Sequence, residues 1–525
     1  MSAAMFRLKD GVHNLGSVRL RDSDGRRVLV PQPSSDPNDP LNWSRGYRYY
    51  QAVIVCLTMV MCNFLAAGPT VAIVETTIDF FGAGSDFTAN LAKISFFFTA
   101  TSLLQGLGNL AWMPLIVKWG RRPVYLASFT IYTATALWTG MARSYGNTLV
   151  ARIFMGFAAG SGECLAPLTI SDIFFLHERG TIMAAYTASL NFGVSIGIIV
   201  SGLVTMNLSY RYVYYVAAAL IGLLTIVVFF TMPETSYARC TSHESSTLDE
   251  KPSAGITGAV VYPAEPARPS LKRTLRLYHG RLTDESIWTI FFRPIVMLAL
   301  PPVLWATLVM SVTIGFLVAI TSNFASAFQS VYGFADYQAG LCFIAGIIGS
   351  AFGMLFGGLA SDWLADFSTR RNGGVRQPEF RLPAISIGLI TALLALVLYG
   401  AGIESEWHWT VPKIALGLLS FSIAQTTNVS LVYIVDAYRP IAGETIVTQL
   451  AFKSAFGFLL SFYTNPWIDK AGYKSAFAAM AGIAAAVLLC WIPLFIYGKR
   501  VRHASLRWPL IAKYVQWDQD REVGE

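Results

Sequence analysis

The sequence predicts an all-α integral membrane protein: twelve transmembrane helices in two pseudo-symmetric six-helix bundles. Three observations carry this. Of 525 residues, 54% are hydrophobic and 13% charged, whereas a soluble domain carries about a quarter charged residues. The apolar residues fall in repeated blocks of about 20, the length of helix that crosses a bilayer core. A long polar stretch divides those blocks six and six, the pattern of a duplicated bundle. Strand-length alternation, which a membrane barrel needs, is absent.

The first 47 residues are polar and mix both charge signs. They lack an apolar core followed by a small-residue cleavage site, so they predict a retained cytosolic tail, not a signal peptide. The first bundle is expected over 48–233, with spans near 48–70, 91–117, 124–142, 147–171, 180–206 and 211–232. Residues 234–290, rich in Ser, Pro, Glu and Arg, read as a flexible cytosolic linker. The second bundle is expected over 291–498, with spans near 294–323, 338–361, 382–402, 411–435, 444–465 and 474–497, and a cytosolic tail follows over 499–525.

The basic residues set the orientation. Arg45 and Arg48, Lys118 with Arg121 and Arg122, Arg179, the linker, Arg370 to Arg381, Arg439 and Lys499 to Arg502 all fall on one side of the predicted spans. The other side holds few: Lys93, Arg143, Arg211, Lys413, Lys470 and Lys474. The positive-inside rule then places both termini in the cytosol. The formal net charge of +8 is accounted for by topology, so nucleic acid is not an expected partner. The six cysteines show no metal-ligand spacing and no two share a predicted outer loop, so neither a metal site nor a disulfide is expected.

Two spans carry small residues every four positions: Gly193, Gly197 and Ser201 in the fifth, Gly349, Gly353 and Gly357 in the eighth. Small residues let helix backbones approach closely in lipid. Taken alone, such a stripe suits static packing; their placement, one stripe per half, also predicts a seam on which the halves rock, and both can hold at once. Ionisable residues within spans are functional candidates by default, and Arg152, Glu163 and Lys453 stand out. Arg152 and Glu163 are 11 residues apart on the fourth span, on one face but about 16 Å apart along the axis, too far to pair. Each therefore needs another partner, a water-filled cavity or, for Glu163, a proton. Amides accompany them: Asn63, Asn191, Asn323, Gln425 and Asn428, with Gln105, Asn109 and Gln449. Any one of these suits interhelical glue. The set, with Arg152 and Glu163, predicts a central cavity for a semi-polar ligand.

Other chemistry is weakly signalled. His177-Glu178 lacks the second histidine of a zinc protease, and no phosphate-cradling loop with Gly-Lys-Ser/Thr occurs. An enzyme is not expected.

Several stretches resemble a known family. Gly120-Arg121-Arg122-Pro123 resembles the signature loop of the major facilitator superfamily, and Arg152 through Gly156 its fourth-span motif. Asp36 through Ser44, Asp172 through Gly180, Pro233 through Arg239 and Arg371 through Leu382 are similar to fungal twelve-span drug:proton antiporters, in the branch that includes a polyamine and cation carrier. The resemblance covers about residues 36 to 500. Two departures matter. Val117 stands three residues before Gly120 where the loop usually has an acid, while Asp362 survives at the counterpart after span 8. In the fifth span, Gly197-Ile198 and Ser201-Gly202 replace the usual Gly-Pro and Gly-Gly.

The resemblance implies a monomeric cell-membrane transporter without cofactor, driven by the proton gradient and working by alternating access. Export of a hydrophobic or amphipathic drug-like compound or secondary metabolite is the leading expectation. Uptake of an organic cation such as a polyamine is the alternative, and a transporter-like nutrient sensor the third. Glu163 is the expected proton site, as the acid deepest in a span. Arg121, Arg122, Asp362, Asp436 and Glu444, near span ends, are expected to form the cytosolic gate.

Overall fold

A computed structural model gives the architecture. It describes residues 38–82, 87–237, 280–372 and 375–505, with short pieces at 18–19, 31, 33–34, 36, 276–278, 508–509 and 511. The core of the expected linker, 238–275, and most of both tails lie outside the described residues.

The first half comprises α1 (Arg45–Ala67), α2 (Phe87–Trp119), α3 (Arg121–Met141), α4 (Tyr145–Ile173), α5 (Leu176–Thr205) and α6 (Arg211–Thr231). A short helix, Ile287–Met297, leads into the second half. There follow α7 (Pro301–Tyr332), α8 within Asp336–Arg371, α9 (Ile385–Glu404) and α10 (Thr410–Ala437). The helical run Ala442–Leu489 breaks at Gly472, whose φ is 77°, into α11 and α12. Among the described residues, nine segments pass for membrane spans on length and composition alone. The long helices α2 and α3 also traverse the bundle, and Ala442–Ser505 makes two passes, which completes the twelve-helix fold.

Local chemistry sets the helix starts. The Ser44 and Ser144 hydroxyls accept the backbone N–H of Tyr47 and Asn147, satisfying donors that a helix start leaves open. Gly120 turns the chain between α2 and α3 at φ 95°, a conformation open to glycine at little steric cost. The Glu234 carboxylate then accepts the N–H of both Arg121 and Arg122 at the start of α3.

The halves repeat one pattern. In the first, α2 packs on α4 and α1 on α5; in the second, α8 packs on α10 and α7 on α11. Between halves, α2 meets α11 and α5 meets α8. The Arg-rich end, carrying Arg48, Arg121, Arg122, Arg179, Arg376 and Arg381, is closed by packing of Met113 and Leu168 against Gly443. There a two-residue strand β1 (Val18–Arg19) pairs antiparallel with β2 (Val375–Arg376) in the loop before α9.

The small-residue stripes do not form the expected seam. Gly193 and Gly197 press α5 onto the Val60 and Phe64 carbonyls of α1, and Ser201 faces Gly68 just beyond α1. Gly349 and Gly353 press α8 onto the Gly417 and Phe421 carbonyls of α10, and Gly357 meets Gln425. All six therefore pack within a half. The contact between halves uses the adjoining face: Ser195 against Gly346, Ile198 against Gly340, Gly202 against Tyr337, and Thr181 and Ala184 against Gly358. A four-residue period identifies a face that admits a close neighbour, but not which neighbour comes.

Gly353→Leu is expected to reduce the yield of folded protein, not merely turnover. Its side chain would enter the α10 backbone, and even modest overpacking costs about 1–3 kcal/mol. Gly202→Ala, whose new methyl would stand 3.2 Å from its nearest neighbour, is expected to leave yield near normal. Size-exclusion profiles of tagged variants in detergent distinguish the two.

Candidate functional site

A cavity of about 130 Å3 lies between the halves. Its walls come from α1, α2, α4 and α5 on one side and α7 and α11 on the other. The lining runs from mid-depth, at Glu163 and Lys453, toward the end opposite the arginines, at Thr70, Ile73 and Asn465. Phe98, Leu190, Val194, Leu317 and Phe458 supply apolar wall; Asn63, Ser102, Gln105, Thr321 and Ser454 are among the polar groups. Among the described residues, the only charged ones lining it are Glu163 and Lys453.

These two pair across the halves. Lys453 Nζ on α11 donates to Glu163 Oε1 on α4 at 2.7 Å, with side chains 6% and 1% exposed. Gln105 Nε2 also donates to Oε1, at 3.0 Å, and Asn109 Nδ2 to Oε2 at 3.3 Å. Three polar side chains from two other helices thus converge on one buried carboxylate. A proton arriving at Oε1 meets the Lys453 ammonium already bonded there. Because the pair joins α4 to α11, its making or breaking bears directly on how the halves are held.

Of the predicted cavity residues, Asn63 and Glu163 line this cavity and the others lie outside its wall. Arg152 is fully buried behind Phe98, 4.9 Å from that ring, and donates to the carbonyl oxygens of Phe97 and Leu65. It ties α1, α2 and α4 together from within the first half. Asn323 lies behind the wall and donates to the lining residue Asn465 at 3.4 Å. Gln425 donates to the Ala384 carbonyl and Asn428 to that of Gly357. Gly357 belongs to a π-helical turn of α8, Phe356–Ala360, so Asn428 satisfies a carbonyl in an irregular turn. These amides are interhelical glue. Asn191 is buried, and among the described residues neither of its amide atoms finds a partner. Lys453, Gln105 and Asn109 complete the site. Each was visible as a polar residue within a span, but nothing in the sequence joins Lys453 to Glu163, 290 positions away.

The gate candidates fall into separate clusters, and Arg121 and Arg122 do not meet Asp362. Arg121 Nε pairs with Asp172 at 3.1 Å, and Arg122 Nη2 donates to the Phe229 carbonyl. In the second half Arg381 joins Asp362 at 2.6 Å to Asp436 at 3.4 Å. Asp362 is the one that crosses: it abuts Gly180 of α5, and the Thr181 hydroxyl donates to it at 3.4 Å. Glu444, in the first turn of α11, pairs with Arg293 of the short helix at 2.9 Å. Burial weighs against the Arg293 charge, and the nearby Glu444 and Glu285 carboxylates more than offset it, raising its pKa.

The fold has close counterparts. The proton:xylose symporter XylE superposes with a TM-score of 0.59 at 14% identity, over 87% of this chain and 97% of that one. Among sequences, an MFS-type transporter of Schizosaccharomyces pombe is 24% identical, covering 91% of this chain and 88% of its own. Protein HOL1 of Saccharomyces cerevisiae is 23% identical over 94% and 93%. The family model for the Major Facilitator Superfamily matches residues 53–446. With that match over most of the chain and a two-bundle helical fold enclosing a cavity between its halves, the chain belongs to the Major Facilitator Superfamily and is a multi-pass membrane transporter, not an enzyme.

Proposed function

We propose that this chain is a proton-coupled secondary transporter of the cell membrane that exports an amphipathic small organic molecule by alternating access, with Glu163 as the proton site. The carrying observation is the cavity floor: one buried carboxylate, bonded across the halves to one lysine, in a wall otherwise uncharged among the described residues. The mixture of apolar wall with hydroxyls and amides suits a molecule with both apolar and polar parts. Both termini lie at the arginine-rich end in this reading, and that end faces the cytosol. The cavity then faces outward while the cytosolic end is closed. Outside protons reach Glu163, break its bond to Lys453 and release the halves for the inward turn. XylE, a proton:xylose symporter, supports proton coupling on this fold.

The test is flux. Cells with and without the gene are loaded with radiolabelled lipophilic drugs and with polyamines. Expected is gene-dependent efflux of at least one amphipathic compound that collapses when a protonophore dissipates the gradient. Gene-dependent uptake of a polyamine, with no efflux of any compound, would replace export with the cation-carrier reading.

A further inference from the structure

The pseudo-symmetry that relates the halves matches the α2–α11 contact with the α8–α5 contact. At the arginine-rich end the two are built differently. Where α8 meets α5, Asp362 is the crossing group: it abuts Gly180, accepts from Thr181, and is held from its own half by Arg381. Where α2 meets α11, α2 offers Val117, a partly buried residue packed into the apolar core. Helix α2 itself, Phe87–Trp119, carries no carboxylate to do what Asp362 does.

The chain between the halves fills that place. Leu282 donates its backbone N–H to the carbonyl oxygen of Lys118, the residue after Val117, at 3.0 Å. The helix Ile287–Met297 then packs on both α2 and α11. Its inner side carries Ile290, Arg293, Pro294 and Met297, while Trp288 and Phe292 face outward. Arg293 Nη1 bonds Glu444 Oε1 and Nη2 bonds Glu285 Oε2, each at 2.9 Å. The end of α2 is therefore tied to the start of α11 through this segment.

We infer that residues 282–297 are the second latch of the arginine-rich end, with Arg293 as its positioning residue. The inference rests on the alternating-access reading, in which that end must open. The two attachments differ in strength. Arg293 and Glu444 are nearly buried, and breaking a buried pair leaves a charge uncompensated. The Leu282 bond is a single backbone bond at an exposed residue. The segment accordingly travels with the second half, and the Leu282–Lys118 bond is where the latch parts on each opening.

The test reads opening directly and needs neither substrate nor proton. Met113 of α2 is buried against Gly443 of α11, so a cysteine there reports separation of these helices. Purified full-length protein carrying Met113→Cys is treated with maleimide, and labelling at position 113 is followed by peptide mass spectrometry. Leu282→Pro deletes the donor and should raise labelling about fivefold, the worth of one net backbone hydrogen bond. Leu282→Ala keeps the donor and should leave the rate unchanged. Arg293→Gln should raise it at least as far as Leu282→Pro, and Arg293→Lys less. Should Arg293→Gln not accumulate, the proline and alanine pair decides alone. Equal labelling in Leu282→Pro and Leu282→Ala overturns the latch. If Asp362→Asn raises labelling while the Arg293 and Leu282 variants do not, alternating access stands and only the second latch falls. If no variant raises it, both fall.

Discussion

Glu163→Gln is expected to abolish proton-driven transport while sparing exchange of substrate for substrate, which needs no net proton movement. A membrane potential of 100 mV gives one proton about 2.3 kcal/mol, and two pH units add about 2.7 kcal/mol. Together these sustain a gradient of several thousand-fold for a neutral molecule. That work passes through whichever group binds the proton on one side and loses it on the other. The Lys453 ammonium bonds Glu163 Oε1 at 2.7 Å in the conformation seen here, so a proton arriving at that oxygen must displace a lysine. Glutamine cannot take up a proton at physiological pH. It also strands the Lys453 charge, and breaking a buried pair from one side costs about 3–5 kcal/mol. A fall in the yield of Glu163→Gln is therefore expected as well. The variant Glu163→Gln with Lys453→Met removes both charges and is expected to recover folded yield, since apolar replacement of a whole buried pair is often neutral. It should still show no dependence of flux on the pH gradient. Reconstituted in vesicles with the compound found in the flux panel, a double variant that pumps uphill with the normal pH profile would remove Glu163 from proton coupling.

The fold was largely legible in the sequence because its cause is local. Each apolar block is long enough to cross a bilayer, and the polar stretch 234–290 marks the repeat. Glu163 was legible for the same reason: an acid within an apolar run has few structural uses. What lay beyond the sequence was pairing. Arg152 and Glu163 share a helix face, yet one binds backbone carbonyls inside its own half and the other a lysine from the opposite half. Sequence spacing fixes which residues of one helix are neighbours, but the partner helix is chosen by packing across hundreds of positions. Gly197 and Gly353 illustrate this. Their small size was read correctly, and their neighbours α1 and α10 were not. Gln425 and Asn428 repeat the lesson for amides: both answer backbone carbonyls, at Ala384 and at the π turn of α8.

Asp362→Asn is expected to leave folded yield near normal and to cut transport about tenfold or more. Arg381 is buried and lies between two carboxylates, Asp362 and Asp436, so the variant leaves it one anionic partner, and asparagine keeps the shape and an acceptor oxygen. Folding is thereby largely protected. The closed end is not, because Asp362 also reaches the opposite half, against Gly180 and Thr181. Hydrogen bonds to charged groups contribute about 1.5–3 kcal/mol, and each 1.4 kcal/mol shifts an equilibrium about tenfold. Losing the charge should therefore move the resting population toward an open arginine-rich end by one to two orders of magnitude. A carrier that no longer closes that end returns its cavity to the far side too seldom to turn over. Two readouts must move together: maleimide labelling at Met113→Cys should rise as flux falls. Normal flux at normal surface level would remove Asp362 from the transport cycle. Reduced flux without increased labelling would mean that Asp362 acts elsewhere than in holding the halves closed.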